Sequence, residues 1–227
     1  MGEFWAQFKK RLRYSAFDSS VWSFAFNPHY LIRSGLDSAI QKIAPSITGQ
    51  VLDFGCGSRP YERLFANASR YIGIDVRTSG HDHTDTNADM YFDGQLITLA
   101  DASFDAVVAF EVFEHVFNLP ASLREIKRVL RPGGKLLITV PFCWEEHEMP
   151  FDFARYSSVG LAQLLNDSGY QVIEAHKMGS DMTVLFQLWN NYLYNVLFRK
   201  LGRWRWLFQP VILVPTHLLA IAFDRLL

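Results

Sequence analysis

A glycine turn after one apolar strand, matched by an acid after the next, is the feature that most constrains this chain. The run VLDF at 51–54 predicts a buried strand. Gly55, Cys56 and Gly57 follow it as a turn. A second apolar run ends in Asp75, eighteen residues past Gly57. In an open α/β sheet such an arrangement binds a nucleoside, because the glycines admit the ligand and the acid accepts hydrogen bonds from ribose hydroxyls.

The rest of the chain alternates predicted strands and helices. Helical spacing predicts helices at about 30–43, 61–66, 119–130 and 157–168, and apolar runs predict strands at 71–75, 105–110, 135–140 and 170–175, with a weak strand within 78–93. This alternation predicts an α/β fold: a Rossmann-like, doubly wound, mainly parallel sheet of about six to seven strands. We expect three parts: an N-terminal helical cap at 1–44, a core at 45–179 and a C-terminal helical extension at 180–227.

Composition excludes several classes of protein. The formal net charge of -1 gives no reason to expect a nucleic-acid partner. Two cysteines, Cys56 and Cys143, are too few for a disulfide framework or a zinc site, which suits a reducing, cytoplasmic compartment. The N-terminus lacks the long apolar core of a secretory signal. His81 and His83 are interpreted as part of a solvated loop because a third ligand is missing, so no metal is expected.

The turn departs from the fingerprint of dinucleotide-binding enzymes. Pro60 stands where the third glycine of G-x-G-x-x-G would be. Without that glycine the helix would pack poorly against a pyrophosphate. A nicotinamide-dependent dehydrogenase is therefore disfavoured, and the nucleoside ligand is expected to be of another kind.

Four segments together resemble class I S-adenosylmethionine-dependent methyltransferases of the type 11 kind. They are VLDFGCGSRPY at 51–61, YIGID at 71–75, SFDAVVAFEVFEHV at 103–116 and LREIKRVLRPGGKLLITVPF at 123–142. They occur in the family's order and cover roughly residues 45–175. The resemblance implies S-adenosylmethionine as cofactor and methyl transfer as reaction. The Pro-Pro motif of base and glutamine amino methyltransferases and the Pro-Cys nucleophile of cytosine C5 enzymes are absent.

The resemblance implies a cofactor site around the glycine turn. Gly55, Cys56 and Gly57 would border the methionine part of the cofactor. Asp53 is placed to contact that same part, directly or through water, and a role as a turn cap is the alternative. Asp75 would hold the ribose hydroxyls, as the acid does in dinucleotide folds. Val76 follows it directly.

Two further segments are implied in cofactor binding. Asp93 and Gly94 resemble the family's contact to the adenine amino group. Three other aspartates compete for this role: Asp82, Asp85 and Asp89. Phe110 and Glu111 end the predicted fourth strand, where the family lines the cofactor and the substrate entrance.

A catalytic base is expected near the carboxyl ends of the last strands. Methyl transfer from a sulfonium is an in-line displacement, so the protein supplies alignment, and a base when the acceptor is a hydroxyl. His147 is the predicted base. His115 is a second candidate, for which a structural hydrogen bond is the alternative.

Residues 147–156 resemble the H-E-x-P-x-D-F-x-R-Y segment of bacterial methyltransferases linked to surface-glycan pathways. Asp152, Arg155 and Tyr156 would then shape the acceptor pocket, and a structural Asp152–Arg155 pair is the alternative. The expected acceptor is small or lipid-linked, with a sugar hydroxyl favoured. The alternatives are a quinone or other small-molecule methyltransferase, and a catalytically silent cofactor-binding module in a glycan-assembly complex.

The C-terminal segment departs from the family. No clear seventh strand follows Gly179, and a basic and aromatic cluster at 199–206 precedes an apolar run at 207–223. This run is shorter than the roughly 20 apolar residues of a transmembrane span. Tryptophans among arginines are typical of helices at an anionic membrane interface. We therefore predict peripheral contact through 199–223 with the inner face of a membrane, and the alternatives are core packing or a homodimer surface.

Overall fold

The chain divides into two compact units. The computed structural model describes residues 19–80 and 86–226. One unit is Ile43–Ala175, and the other joins the residues up to Lys42 with those from His176 onward. Some predictions fall on residues outside the described ranges. These residues are 1–18 of the predicted N-terminal cap, His81, Asp82, His83 and Asp85.

The regular elements of the described residues are numbered in chain order. The strands are β1 (Gly49–Phe54), β2 (Ala68–Val76), β3 (Met90–Phe92), β4 (Phe104–Phe110) and β5 (Leu130–Thr139). The α-helices are α1 (Val21–Phe26), α2 (Tyr30–Ile43), α3 (Leu119–Val129), α4 (Ser158–Asp167), α5 (Asp181–Leu193) and α6 (Arg205–Leu226). Short 3₁₀ turns lie at Glu62–Leu64, Phe113–His115 and Gly202–Trp204, among others.

The unit Ile43–Ala175 is built on a parallel sheet with the order β3-β2-β1-β4-β5. The strand order reverses between β1 and β4, and ligands of such sheets bind at this switch point, beyond the carboxyl ends. Phe54 of β1 pairs with Ile74 of β2, and Phe110 of β4 pairs with Thr139 of β5, so these ends are level. The predicted Rossmann-like fold is confirmed.

The apolar residues of β1 and β4 explain why these strands form the centre of the sheet. Both are continuous apolar runs, as expected for strands covered on both faces. Leu52, Val107 and Val108 are fully buried. Helix α3 presents Leu123 and Ile126 to the same core. The helix starts at Asn118, whose side chain accepts the N–H of residue 121.

The prediction of a strand at 170–175 is wrong. Residues 171–175 form no regular element and are exposed, with Ile173 88% accessible. Tyr170 is anchored, because its hydroxyl donates to the Leu123 carbonyl oxygen at 2.8 Å. Alternating apolar residues form a strand only where a neighbouring strand takes up their backbone hydrogen bonds. Within the described part of the chain the sheet therefore has five strands rather than six to seven, with β5 at one edge.

The second unit is helical. Helix α2 spans the predicted 30–43, and α5 begins after Ser180, whose side chain accepts the Met182 N–H. Helix α6 continues through Pro210 and Pro215 and is longer than the apolar run suggested. By length and composition alone, the helical stretch 202–226 is sufficient to cross a membrane. The expectation that this segment is too short for a span therefore does not hold for the helix as a whole.

Candidate active site

The glycine turn is tied to the end of β2. The backbone N–H groups of Gly55 and Cys56 both donate to the Ile74 carbonyl oxygen, at 2.9 and 3.1 Å. The Gly57 N–H donates to Oδ2 of Asp75 at 2.8 Å. Gly55 and Gly57 have φ of +72° and +49°, the region that favours glycine. The predicted turn and the predicted acid therefore meet at the carboxyl edge of the sheet.

The two glycines of the turn face different surroundings. A Cβ on Gly55 would lie 2.6 Å from Cγ1 of Val112, so this glycine is required by the packing of the turn against the segment after β4. A Cβ on Gly57 would meet no atom within 4 Å. Gly57 therefore borders open space beside Asp75.

Asp53 is a buried acid at the end of β1. Its residue is 3% exposed, and its Oδ2 accepts a hydrogen bond from the Tyr71 hydroxyl at 2.8 Å. Burial raises the pKa of Asp53 to about 7, although the Tyr71 hydrogen bond opposes the shift. A cationic ligand group beside this carboxyl would favour its charged form. The contact predicted with the amino-acid part of the cofactor would therefore relieve the cost of burying the charge.

Asp75 is held in place by the backbone on both sides. Its Oδ1 accepts the Val76 N–H at 2.7 Å and its Oδ2 accepts the Gly57 N–H. Each carboxylate oxygen keeps a further lone pair, and two ribose hydroxyls could donate to them. The carboxylate is thus oriented before any ligand arrives.

Arg59 was not singled out from the sequence, yet it organises this edge. It has φ of +56°, is almost buried and forms an ion pair with Asp89. Asp89 in turn accepts the Gly73 N–H at 2.9 Å. These bonds join the turn after β1 to the segment before β3. Burial also raises the pKa of the Cys56 thiol to about 12, so that cysteine stays a neutral packing group.

Asp93 and Gly94 follow β3, beside the end of β2. A Cβ on Gly94 would lie 3.6 Å from the Val76 side chain. The Asp93 carboxylate is exposed, and its Oδ1 accepts the N–H groups of Gln95 and Leu96, both at 2.8 Å. These bonds lower the pKa of Asp93. The adenine contact assigned to this segment stays a prediction.

Phe110 and Glu111 lie at the end of β4. Phe110 packs edge-on against Tyr61, with ring centroids 5.1 Å apart. Glu111 has φ of +55°, a conformation that costs a non-glycine residue about 1–2 kcal/mol. Its N–H donates to both the carbonyl oxygen and Oγ1 of Thr139, at 3.1 Å. Backbone strain of this kind is concentrated at functional sites, and it directs the chain past the glycine turn.

The loop 144–156 is attached to the turn after β4. The N–H groups of Phe153 and Ala154 donate to the Glu114 carbonyl oxygen, at 2.8 and 3.2 Å. Nδ1 of His115 lies 2.9 Å from the Phe151 carbonyl oxygen. Because a carbonyl only accepts, Nδ1 of His115 carries the proton. The structural hydrogen bond considered for His115 is therefore present.

Asp152 and Arg155 clamp the loop. Two parallel hydrogen bonds of 2.6 and 2.7 Å join them, and Asp152 Oδ2 also accepts the His147 N–H at 2.8 Å. The Arg155 guanidinium holds the pKa of Asp152 far below its usual range. These contacts are those of the structural alternative. Tyr156 packs against the core of the unit, and burial raises its pKa. Acceptor binding by these three residues stays a prediction.

The proton position on His147 follows from its neighbours. Its Nδ1 lies 3.3 Å from the Glu145 carbonyl oxygen, from Asp152 Oδ2 and from Nη2 of Arg155. Both hydrogens of that Nη2 are already donated, to Glu145 at 2.9 Å and to Asp152 at 2.7 Å. Only acceptors remain for Nδ1, so it carries the proton and Nε2 keeps a free lone pair. The side chain is 31% exposed, so substrate can reach it.

The structure brings Glu114, His115 and His147 together, a cluster that no sequence pattern predicted. The rings of the two histidines are 4.9 Å apart, and one ligand atom from each of the three residues lies within 4.8 Å of the others. The Glu114 side chain is 1% exposed, and neither oxygen has a hydrogen-bond partner in the described part of the chain. Burial and the charge of Glu111 raise the pKa of Glu114 to about 8. Among the described residues, these three could hold a metal ion.

The parallel sheet with its switch point, the glycine turn and the oriented acid are features of the class I S-adenosylmethionine-dependent methyltransferase fold. The chain belongs to the family described as "Methyltransferase domain", whose model matches residues 28–210. S-adenosylmethionine is the cofactor of this enzyme type. The open space beside Gly57 and the free lone pairs of Asp75 fit its nucleoside, while Asp53 suits its cationic amino-acid end.

Sequence relatives agree with this assignment. A probable S-adenosylmethionine-dependent methyltransferase of Mycolicibacterium smegmatis is 33% identical over 145 residues, covering 58% of this chain and 56% of the relative. An O-methyltransferase of Pyrenophora dematioidea is 28% identical over 157 residues, covering 60% of this chain and 59% of the relative. The human mitochondrial ubiquinone biosynthesis O-methyltransferase is 36% identical over 111 residues, covering 42% of this chain and 29% of the relative. The chain thus spans about half the length of the curated relatives it matches.

The fold likeness extends to more distant structures. An S-adenosylmethionine-dependent methyltransferase from Mesorhizobium loti superposes with a TM-score of 0.53 at 15% identity, covering 73% of this chain and 95% of the other. Phosphoethanolamine N-methyltransferase 2 of Haemonchus contortus superposes with a TM-score of 0.54 at 18% identity, covering 93% of this chain and 54% of the other. At these identities the likeness is one of fold.

The two turn glycines should respond differently to alanine. We expect Gly55→Ala to lower the free energy of unfolding by about 2–4 kcal/mol, because the new methyl group meets Val112 in a strained conformation. Gly57→Ala should cost only about 1–2 kcal/mol, the strain of its backbone conformation. It should nevertheless weaken cofactor binding by about tenfold or more, because the methyl group enters the ligand space. Thermal unfolding and calorimetry measure both; equal losses of stability and affinity in the two variants would contradict this assignment.

Proposed function

We propose that this protein transfers a methyl group from S-adenosylmethionine to a hydroxyl oxygen of a small or lipid-linked acceptor, with a sugar hydroxyl favoured. The observation that carries the proposal is His147. Its Nδ1 proton is held by Glu145 and Asp152, and Nε2 of this partly exposed side chain keeps a free lone pair. A base fixed in one tautomer is what an oxygen acceptor requires and what an amine acceptor does not.

The protein's share of the chemistry is positioning and removal of one proton. The bound cofactor supplies a methyl group on a sulfonium, which leaves as a neutral thioether. His147 Nε2 takes the acceptor's hydroxyl proton as the new carbon–oxygen bond forms. Asp152 stabilises the imidazolium that results, since its carboxylate stays ionised beside Arg155.

The choice of acceptor rests on two further supports. Two of the relatives described above are named O-methyltransferases, which favours an oxygen over a nitrogen. The sugar is favoured by the resemblance of residues 147–156 to glycan-pathway methyltransferases. A quinone or another small phenol is the second candidate, because the human relative is named for ubiquinone biosynthesis. A catalytically silent cofactor-binding module is the third. We also propose that the protein acts in the cytoplasm, at the inner face of a membrane.

Two experiments test this function. Calorimetry should show saturable binding of S-adenosylmethionine, and Asp75→Ala should weaken it severely because the ribose acceptor and the brace of Gly57 are both lost. Mass spectrometry of sugar and lipid extracts incubated with methyl-labelled cofactor should then show a new methyl ether. Labelled quinones alone would select the second candidate. Binding without turnover in any extract would select the silent module, and absence of binding would refute the proposal altogether.

A further inference from the structure

Helix α6 carries apolar residues on the side that faces away from the protein. Within the helix and the turn before it, the exposed positions recur at helical spacing and include Trp204, Leu207, Phe208, Val211, Pro215, Leu218, Leu219, Ala222, Phe223 and Leu226. Val211 is 69% exposed and Leu207 61%. From Trp204 to Phe223 this face bears no charged side chain. A soluble protein rarely exposes so long an apolar surface.

The inner face of the same helix buries polar residues beside the apolar Leu213 and Ala220. Gln209 and His217 are both buried, and His217 Nδ1 lies 2.9 Å from the Phe24 carbonyl oxygen. Thr216 donates a hydrogen bond of 2.8 Å to Oδ1 of Asn190 on α5. Hydrogen-bonding groups therefore join α5 to α6 inside this unit.

Helix α5 shows the same inversion. Gln187 is buried, where its side chain accepts the Ile32 N–H and donates to the Pro28 carbonyl oxygen. Leu185 and Trp189 are more than half exposed. Two neighbouring helices thus both turn polar residues inward and apolar residues outward.

An inverted pattern of this kind is unfavourable in water. Three buried atoms of these two helices, Asn190 Nδ2, Gln209 Oε1 and His217 Nε2, have no hydrogen-bond partner among the described residues. Rotation of the helices would give each of them water and would bury the apolar face. In hydrocarbon the preference reverses, because polar groups must bond inside the protein and the lipid-facing surface must be apolar.

The length and the charges of α6 suit a bilayer. The helix has 22 residues, about 33 Å at 1.5 Å per residue, which is close to the roughly 30 Å hydrocarbon thickness. The segment before it and its first residue together carry four cationic side chains: Arg199, Lys200, Arg203 and Arg205. Arg203 and Arg205 lie over the rings of Trp204 and Trp206. Tryptophan beside cations is typical of the boundary between hydrocarbon and anionic headgroups.

We propose that the outer face of α5 and α6 is embedded in the hydrocarbon of a lipid bilayer, with the basic segment 199–205 at anionic headgroups. The protein is then held by apolar contact rather than by charge alone. This inference goes beyond methyl transfer and stands on residues outside the active site. A second copy of the chain is the competing occupant of the same face.

Flotation of the full chain with vesicles tests the inference. The wild-type protein should float with vesicles that contain anionic phospholipid. It should stay bound in about 1 M NaCl, where charge contacts are screened beyond roughly 3 Å, and be released by detergent. Release by salt alone would overturn the embedding.

A pair of valine substitutions provides the matched control. Val211→Asp places a charge on the proposed lipid face and should lower vesicle binding by about tenfold or more. Val159→Asp changes a residue that is 78% exposed on the catalytic unit, so its vesicle binding should equal that of the wild type. Equal binding by the two variants refutes the proposal. So does a detergent-free dimer that ignores vesicles and that Val211→Asp dissociates, since a second copy would then cover the face.

Discussion

The His147→Ala variant should lose about 10²–10⁴-fold in kcat while it keeps the wild-type affinity for S-adenosylmethionine. The loss follows because Nε2 of His147 keeps a free lone pair while its Nδ1 proton is bound by the loop. The affinity is kept because the residues placed around the cofactor lie on the strand ends and not on this loop. Single-turnover kinetics with the labelled acceptor, together with calorimetry, separate the two quantities.

A neighbouring substitution controls for damage to the loop. Glu146 is exposed and next in sequence, so Glu146→Gln should leave kcat close to that of the wild type. His147→Ala removes the ring but leaves the backbone N–H that binds Asp152, and the loop should therefore stay folded. If both variants lose activity equally, or if His147→Ala retains it, His147 is not the base.

The Asp53→Asn variant should be more stable than the wild type without cofactor, yet bind S-adenosylmethionine far more weakly. At pH 8 the wild-type carboxylate is charged and buried, whereas an amide avoids that cost and still accepts the Tyr71 hydrogen bond. We expect a gain of about 1–3 kcal/mol in the free energy of unfolding. The affinity falls because the amide cannot offer a charge to the cofactor's ammonium group.

The pH dependence gives the sign of this effect. A carboxyl whose pKa is raised to about 7 on folding binds a proton more tightly in the native than in the unfolded state. The contribution of Asp53 to the free energy of unfolding therefore falls as pH rises from about 4 to 7, and this loss is complete above pH 7. Urea titrations should show a larger advantage of the variant at pH 8 than at pH 5. An advantage that is equal at both values would contradict the raised pKa.

Local patterns predicted the part of the fold that holds the cofactor. The strand ending at Phe54, the turn at Gly55 and Gly57 and the acid at Asp75 were readable because each needs a particular residue type at a particular spacing. The bounds of α2 were readable from its period and from the following Pro45.

Features that depend on distant partners could not be predicted. Residues 170–175 have the pattern of a strand, but no neighbour takes up their bonds. The ion pair of Arg59 with Asp89 and the meeting of Glu114 with His147 join residues about thirty apart. The inverted polarity of α6 was hidden as well, because a helix's sequence does not say which of its faces packs inward.

The Asp152–Arg155 clamp has an evolutionary consequence. It closes residues 144–155 on themselves, and the loop meets the turn after β4 through backbone groups of Phe153 and Ala154 rather than through side chains of the sheet. Insertions or exchanges between Trp144 and Asp152 can therefore be tolerated while the strand ends that hold the cofactor stay unchanged. Such a loop can be replaced as a unit while the cofactor site is kept. Recombination of a short stretch of gene could then change the acceptor without changing the methyl donor.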